Sequence, residues 1–269
     1  SVESVNVFSS RLIFCSLFIV AFIAWNLQRK LDESEEWKEA KELQNKEKQP
    51  SVFASFSSLF TNKVNIRTML FLAGIYVTWN MVAGVMGFFQ QHIYETAGGL
   101  SNGEANMISA IQWIVIIAVT YFGFAMIVDK VNQRLLYFIG TSIGVVAWCI
   151  LIFVGIRNTF ALWTFTILWG VHAGISVQAF YALWASELFP AQYRAAAQGV
   201  MFFLVRGIAA IWGLGFVHIY GVNGEGFYIA AYIMVGLLLF ALVVGTIWTP
   251  KTRGKTLQEI TDERYGDDI

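Results

Sequence analysis

The chain has 269 residues, of which 57% are hydrophobic and 13% are charged, and its formal net charge is zero. Soluble domains carry about 25% charged residues, so this composition excludes an ordinary soluble domain and indicates a protein of the lipid bilayer. The neutral balance also argues against nucleic acid as a partner.

Seven apolar runs are long enough to cross a bilayer as helices, which takes about 20 residues each. They lack the period-two alternation of membrane barrel strands and are about twice as long as such strands. The sequence therefore predicts an all-α integral membrane protein with about seven transmembrane helices. The runs cover roughly residues 11–28, 66–92, 107–128, 134–156, 160–184, 196–220 and 226–248.

Lysine and arginine are unevenly placed between these runs. The stretches 93–106 and 221–225 hold neither residue, and 157–159 holds Arg157 alone. By the positive-inside rule, the basic stretches are cytoplasmic, so the N-terminus is expected outside and the C-terminal tail inside. The basic stretches are 29–67, 129–134, 187–194 and the tail from residue 249.

The stretch 29–65 is the one long hydrophilic piece between predicted spans. Its "RKLDESEEWKEAKELQNKEKQ" mixes Glu and Lys at helical spacings among good helix formers. It is predicted to be a charged surface helix that links two membrane parts.

Three charged clusters lie at predicted cytoplasmic helix ends: "VDKVNQR" (128–134), "SELFPAQYR" (186–194) and "TPKTRGKTLQEI" (249–260). A short turn brings the end of one helix close to the start of the next, so a carboxylate and an arginine there can pair. Such pairs would stabilise one orientation of the helix bundles over another. An exposed pair contributes only about 0–1 kcal/mol, whereas a partly dehydrated network contributes more. The alternative is plain anchoring of helix ends at the membrane edge.

These clusters carry a family resemblance. "SELFPAQYRAAAQG" resembles the E-[IL]-F-P-x-x-x-R-x-x-x-x-G motif that follows the tenth helix of sugar porters in the major facilitator superfamily. "TPKTRGKTLQEI" is similar to the P-E-T-K-G-x-x-L-E-E-I of that family after its last helix, and "DKVNQR" to its D-x-x-G-R-[RK] turn. "ESEEW" (33–37) resembles the E-S-P-R-W after the sixth helix, so four motifs follow in the family's order.

The resemblance implies that the seven spans correspond to helices six to twelve of a twelve-helix carrier. We therefore expect the first five helices to lie outside this chain, in a longer protein. Residues 1–28 would be the last helix of the N-terminal bundle and 29–65 the cytoplasmic linker. Residues 66–248 would form the six-helix second bundle, with 249–269 as a cytoplasmic tail.

By the same resemblance, charged residues on the cytoplasmic side would form a network that locks the outward-facing state, in part with groups of the missing bundle. This sequence departs from the family pattern, because Asn132 and Gln133 replace its Gly and Arg, and Lys251 replaces its Glu. The expected members are Asp129, Arg134, Glu187, Arg194, Glu33 and Arg253.

Transporters of this architecture bind solute near the midplane, on interrupted helices that face a central cavity. Sugar recognition needs hydrogen-bonding amides or carboxylates and an aromatic face. The candidate amides are Asn80 and Gln178, although each is also suited to helix–helix hydrogen bonding. The candidate aromatic residues, for which packing is the alternative role, are Trp79, Tyr181 and Trp184.

Arg206 lies about halfway along the predicted span 196–220. A charge at that depth costs at least about 2.5–3.5 kcal/mol on insertion scales, so it needs a reason to be there. It is expected either to bind substrate, which would favour an anionic sugar acid, or to pair with a group outside this chain.

The leading hypothesis is therefore the C-terminal half of a secondary-active or facilitative transporter for a sugar, polyol or sugar acid, an inositol included. The alternatives are a seven-helix receptor and a half-size carrier that works as a homodimer. No catalytic, phosphate-binding or metal-binding pattern is present, so neither an enzyme nor a cofactor is predicted. Cys15 and Cys149 are predicted packing residues, and His172 and His218 either packing residues or proton relays.

Overall fold

A computed structural model of the chain describes residues 2–29 and 59–266, with side chains from residue 11 onward. The chain divides into two compact units, Ser1–Gln49 and Pro50–Ile269. In the first unit, helix α1 runs over Val2–Gln28 and its apolar side chains are exposed.

The second unit is also wholly helical over its described residues. The prediction of an all-α membrane protein is confirmed, since seven helices of the described chain are long and apolar enough to cross a bilayer. Its elements are α2 (Lys63–Thr96), α3 (Asn102–Ala118) with a π-helical continuation (Val119–Ala125), α4 (Gln133–Phe153), α5 (Thr159–Ile175), α6 (Val177–Glu187), α7 (Ala191–Tyr220), α8 (Phe227–Ile247) and α9 (Leu257–Tyr265).

Side-chain caps set where several helices begin. Asn62, Asn132 and Asn158 each accept a hydrogen bond from a backbone N–H of the first turn, which those amides otherwise lack. Asn132, which stands where the sugar-porter motif has a glycine, is here the N-cap of α4. Ser101 and Thr256 form capping boxes with Glu104 and Glu259.

The span predicted at 160–184 is two helices, because the backbone leaves the helical conformation at Ser176 (φ −112°, ψ −138°). Two glycines of α4 let α5 approach closely at this point. A Cβ on Gly140 would lie 2.8 Å from the carbonyl oxygen of Ile175, and one on Gly144 would overlap the ring of His172. The interruption therefore lies where α4 and α5 are in close contact.

Helix α2 packs between α7 and α8, and α4 packs between α5 and α8, with α3 against α5. The membrane-spanning windows of α2 and of α5–α6 are 50% and 61% buried, whereas those of α3 and α7 are 11% and 17% buried. Helices α2, α5 and α6 thus form the interior of the bundle, and α3 and α7 flank them with largely uncovered faces.

The tail packs onto one end of the bundle. The hydroxyl of Tyr265 donates to Asn65 Oδ1 at 2.6 Å and to the carbonyl oxygen of Leu188 at 3.3 Å, and Ile260 is buried. The turns before α4 and α7 lie at this same end, which we call the basic end (residues 63–68, 126–134, 187–194 and 249–266).

Candidate functional site

A cavity of about 360 Å³ opens midway along the second unit, between α2, α3, α5, α6 and α7. Its volume falls in the range of about 300–1,000 Å³ that small-molecule sites occupy. Polar and aromatic side chains line it together, among them Trp79, Asn80, Gln112, Trp169, Gln178 and Arg206.

Gln178 on α6 is oriented by a tyrosine of α2. The hydroxyl of Tyr76 donates to Gln178 Oε1 at 3.0 Å, and the ring of Tyr76 stacks on Tyr181 with centroids 3.9 Å apart. The amide N–H groups of Gln178 make no hydrogen bond within the described part of the chain. They are therefore available to a solute oxygen in the cavity.

Asn80 and Trp79 are held by the protein on the side away from the cavity. Asn80 Nδ2 donates to the carbonyl oxygen of Tyr76 at 3.1 Å, which leaves its Oδ1 as an acceptor. Trp79 Nε1 donates to His172 Nε2 at 3.0 Å, and His172 Nδ1 lies 2.9 Å from the carbonyl oxygen of Gly140. Since Nε2 accepts, Nδ1 carries the proton, and this buried histidine is neutral.

Arg206 reaches the cavity from α7 and is exposed in the chain. It also lines an adjoining cavity of about 360 Å³ between α2 and α7, which shares Asn80 with the first. Trp212 Nε1, one and a half turns further along α7, donates to the carbonyl oxygen of Met81 at 2.9 Å and ties these helices together. Among the residues the structure describes, the guanidinium has no carboxylate partner.

Two more amide side chains, those of Gln90 and Gln112, line the cavity and were not among the predicted site residues. Gln112 Nε2 on α3 donates to Gln90 Oε1 on α2 at 3.0 Å, and Gln90 Nε2 donates to Ser109 Oγ at 3.1 Å. Gln112 could have been identified from the sequence, because an amide inside an apolar run must face protein or water rather than lipid. Tyr76 and Trp169 carried no such signal.

The structure brings four of the six predicted solute-binding residues to one cavity: Trp79, Asn80, Gln178 and Arg206. Tyr181 lies behind Tyr76, and its buried hydroxyl has no hydrogen-bond partner. Trp184 is fully buried near the basic end, where its Nε1 donates to Gln133 Oε1 at 3.3 Å. Whether each residue contacts solute stays a prediction.

The predicted charge network falls at the basic end. Arg253 donates from Nε to the carbonyl oxygen of Asp129 at 3.2 Å and from Nη2 to that of Lys130 at 2.9 Å. Gln133, at the position of the family's arginine, accepts from Trp184 and, at 3.2 Å, from Thr252 Oγ1. A neutral amide thus joins α4, α6 and the tail where the family has a cation.

Glu187 is half-buried, and its Oε2 has no hydrogen-bond partner, while Asp129 lies within electrostatic range. Arg134 is exposed at the start of α4, and Arg194 lies in the first turn of α7. Glu33 lies outside the described residues, so the network as a whole stays a prediction. Over the same described residues, no group of three or more His, Cys, Asp or Glu side chains could hold a metal ion.

Two comparisons with known proteins bear on the family of this chain. The family model of "Sugar (and other) transporter" matches residues 21–263. The "Minor myo-inositol transporter IolF" of Bacillus subtilis (strain 168) is 33% identical over 262 residues, covering 96% of this chain and 58% of the relative. The chain thus spans less than two thirds of that relative's length. The resemblance to sugar porters of the major facilitator superfamily is confirmed, and the chain belongs to the Sugar (and other) transporter family.

Proposed function

We propose that the chain supplies the second helix bundle of a carrier that moves a sugar or polyol across the membrane by alternating access. A cyclic polyol such as myo-inositol is the leading solute. The observation that carries this proposal is the convergence of Asn80, Gln178 and Arg206 on a single cavity lined by Trp79 and Trp169.

The donor and acceptor set suits a polyhydroxylated ring. Gln178 offers N–H groups, Asn80 offers an oxygen and Arg206 offers several N–H donors, so hydroxyl groups find both kinds of partner. The flat faces of Trp79 and Trp169 match the C–H surface of such a ring. Because Arg206 is cationic and could also bind a carboxylate, a sugar acid is the second solute class that we propose. The relative named for myo-inositol supports the polyol.

The need for another bundle is supported by Arg206 and by the uncovered helices. A charged side chain in mid-membrane faces a water-filled cavity or protein, because lipid contact there is costly. Arg206 is exposed in a helix whose spanning window is only 17% buried. We expect a first bundle, with residues 1–28 as its last helix, to cover α3 and α7 and to complete the cavity.

The network at the basic end fits the same cycle. Glu187 Oε2 is buried without a hydrogen bond and near a second carboxylate, so a cation that approaches it would be favourable. We propose that Asp129, Arg134, Glu187, Arg194, Arg253 and Glu33 pair with groups of the first bundle when this end closes. The end would then be cytoplasmic, with the carrier in the plasma membrane.

The test is uptake of labelled inositols, sugars and sugar acids into vesicles. This chain alone is compared with this chain joined to its upstream coding sequence, each with Arg206 intact or replaced in Arg206→Ala. We expect transport by the longer protein alone, with myo-inositol accumulated best. Transport by the short chain alone would favour the homodimeric half-carrier, and solute binding that never leads to uptake would favour a receptor.

A further inference from the structure

A cavity of about 760 Å³ lies at the basic end, between α2, α8 and the tail. It is separate from the 360 Å³ cavity around Asn80 and Arg206, which we call the transport cavity after its proposed role, and it lies on another face of α2. Phe71 lines it and stands nine residues before Asn80, which lines the transport cavity. Nine residues make two and a half helical turns, so the two cavities lie on opposite sides of the helix.

Two guanidinium groups line this cavity, and neither pairs with a carboxylate among the residues that the structure describes. Arg67 makes no hydrogen bond or ion pair within the described residues. Arg264 donates from Nη2 to Thr68 Oγ1, and its buried Nε has no partner. Burial lowers the pKa of Arg264, and the neighbouring charge of Arg67 lowers it further. None of the described residues lining the cavity is acidic, so the pair attracts an anion.

The rest of the wall is apolar and open. Leu70, Phe240 and Trp248 are 70%, 50% and 57% exposed, and Val244 lies on α8 between Phe240 and the helix end. Leu70, Phe240 and Val244 belong to membrane-spanning helices, and Trp248 directly follows α8, the position that tryptophan favours at a membrane surface. An inorganic anion would leave this apolar surface unfilled, whereas an acyl chain would cover it.

We propose that this cavity binds an anionic phospholipid. The phosphodiester lies between Arg67 and Arg264 at the membrane surface, where charge-assisted hydrogen bonds to arginine are strong. One acyl chain runs along Leu70, Phe240 and Val244 toward the bilayer centre. Since the transport cavity lies on the other face of α2, lipid and solute occupy the protein together.

The test uses the purified chain in nanodiscs that contain acyl-brominated phosphatidylglycerol or acyl-brominated phosphatidylcholine. Bromine quenches nearby tryptophan, so the contribution of Trp248 is taken as the difference between wild type and Trp248→Phe. We expect Trp248 to be quenched at a lower fraction of phosphatidylglycerol than of phosphatidylcholine. Arg67→Gln should reduce that preference about fivefold, as expected for one basic residue near a charged surface.

Arg67 is the informative position, because it makes no hydrogen bond or ion pair within the described part of the chain, whereas Arg264→Gln also removes the bond to Thr68. Lys130→Gln is the matched control, since Lys130 is an exposed cation at the same end but outside the cavity. Equal quenching by the two lipids, or an equal effect of Lys130→Gln, would overturn the proposal. Displacement of the preference by millimolar inorganic phosphate, without chain quenching, would indicate a free-anion site instead.

Discussion

The polar side chains of the transport cavity are oriented from behind by residues that do not reach it. Tyr76 holds Gln178 by its hydroxyl, and its ring lies parallel to Tyr181 with an interplanar angle of 6°. Such support lowers the entropy that Gln178 loses when it binds a solute. His172 supports Trp79 in the same way, because it accepts a hydrogen bond from the indole N–H and holds the ring in place.

Replacing Tyr76 by Phe should therefore weaken solute binding without removing a solute contact. One neutral hydrogen bond contributes about 0.5–1.5 kcal/mol, so we expect the KM for myo-inositol uptake to rise about two- to tenfold in the full carrier. Gln178→Ala removes the amide itself and should therefore raise the KM further than Tyr76→Phe does. The measurement is concentration-dependent uptake into vesicles.

Tyr232→Phe serves as the control for this substitution, because Tyr232 is an exposed tyrosine of α8 outside the cavity. Its KM should match that of the wild type. If Tyr76→Phe leaves KM unchanged while Gln178→Ala raises it, the hydrogen bond has no positioning role.

At the scale of helices, the contact between α4 and α5 depends on two small residues. Gly144 faces the ring of His172, so the Cβ of an alanine would overlap that ring, and His172 is fully buried and cannot swing away freely. Overpacking of this kind costs about 1–3 kcal/mol. We expect Gly144→Ala to lower the melting temperature of the purified chain in detergent.

Gly236→Ala on α8 is the matched substitution in open space, because nothing lies within 4 Å of its added Cβ. It should be neutral, or stabilise by up to about 1 kcal/mol through helix propensity. Since His172→Ala removes the ring that the added Cβ would meet, Gly144→Ala should lower the melting temperature less in a His172→Ala background than in the wild type. Equal melting temperatures for Gly144→Ala and Gly236→Ala would show that the interface adjusts without cost.

The docking of α9 should depend on pH. Burial raises the pKa of Tyr265 from 10.0 to about 12, so the folded chain holds its neutral hydroxyl more firmly than the undocked chain does. The stabilisation that the neutral Tyr265 hydroxyl gives to the docked helix is thus complete below pH 10, and it is lost as pH rises from 10 to 12. A spin label at Gln258→Cys, in a background without Cys15 and Cys149, should gain mobility over that window.

In Tyr265→Phe the hydroxyl is absent, and Asn65 Oδ1 and the carbonyl oxygen of Leu188 lose a donor. The label should then be more mobile at every pH, and its mobility should no longer change between pH 10 and 12. A transition that persists in Tyr265→Phe would assign the pH dependence to another group.

Hydropathy predicted the membrane spans because bilayer thickness fixes their length. It did not predict the interruption at Ser176 or the π-helical segment Val119–Ala125, since both lie inside continuous apolar runs. The interruption lies next to a close contact between α5 and the glycines of α4, about 30 residues away. Such tertiary contacts leave no mark on local periodicity.

At the scale of the whole molecule, the candidate site was predictable in part. Asn80, Gln178 and Arg206 stand out because polar groups in apolar helices need a reason to be there. The partner of Gln178 was not predictable, because Tyr76 is 102 residues away. The aromatic contacts were not predictable either: Trp79 and His172 are 93 residues apart, and Trp184 packs at the basic end against Gln133. Aromatic residues give no sign in sequence of which cavity they face.

Alternating access makes a prediction about the assembled carrier. Ala83 lies on the cavity wall of α2, whereas Ala231 is buried on α8. In a carrier without its native cysteines, a cysteine at Ala83 should react with a membrane-impermeant thiol reagent from either side of the membrane. The reason is that the proposed alternating-access cycle opens the cavity to each side in turn. A cysteine at Ala231 should react from neither side.

Added myo-inositol should slow the reaction at Ala83→Cys, since solute in the cavity covers that wall. The assay requires right-side-out and inside-out vesicles in parallel, with the reagent at one concentration. Reaction from a single side only, with or without solute, would mean that the cavity never reverses its opening. The bundle would then act as a one-sided receptor pocket, and the residues around Arg206 would bind without transporting.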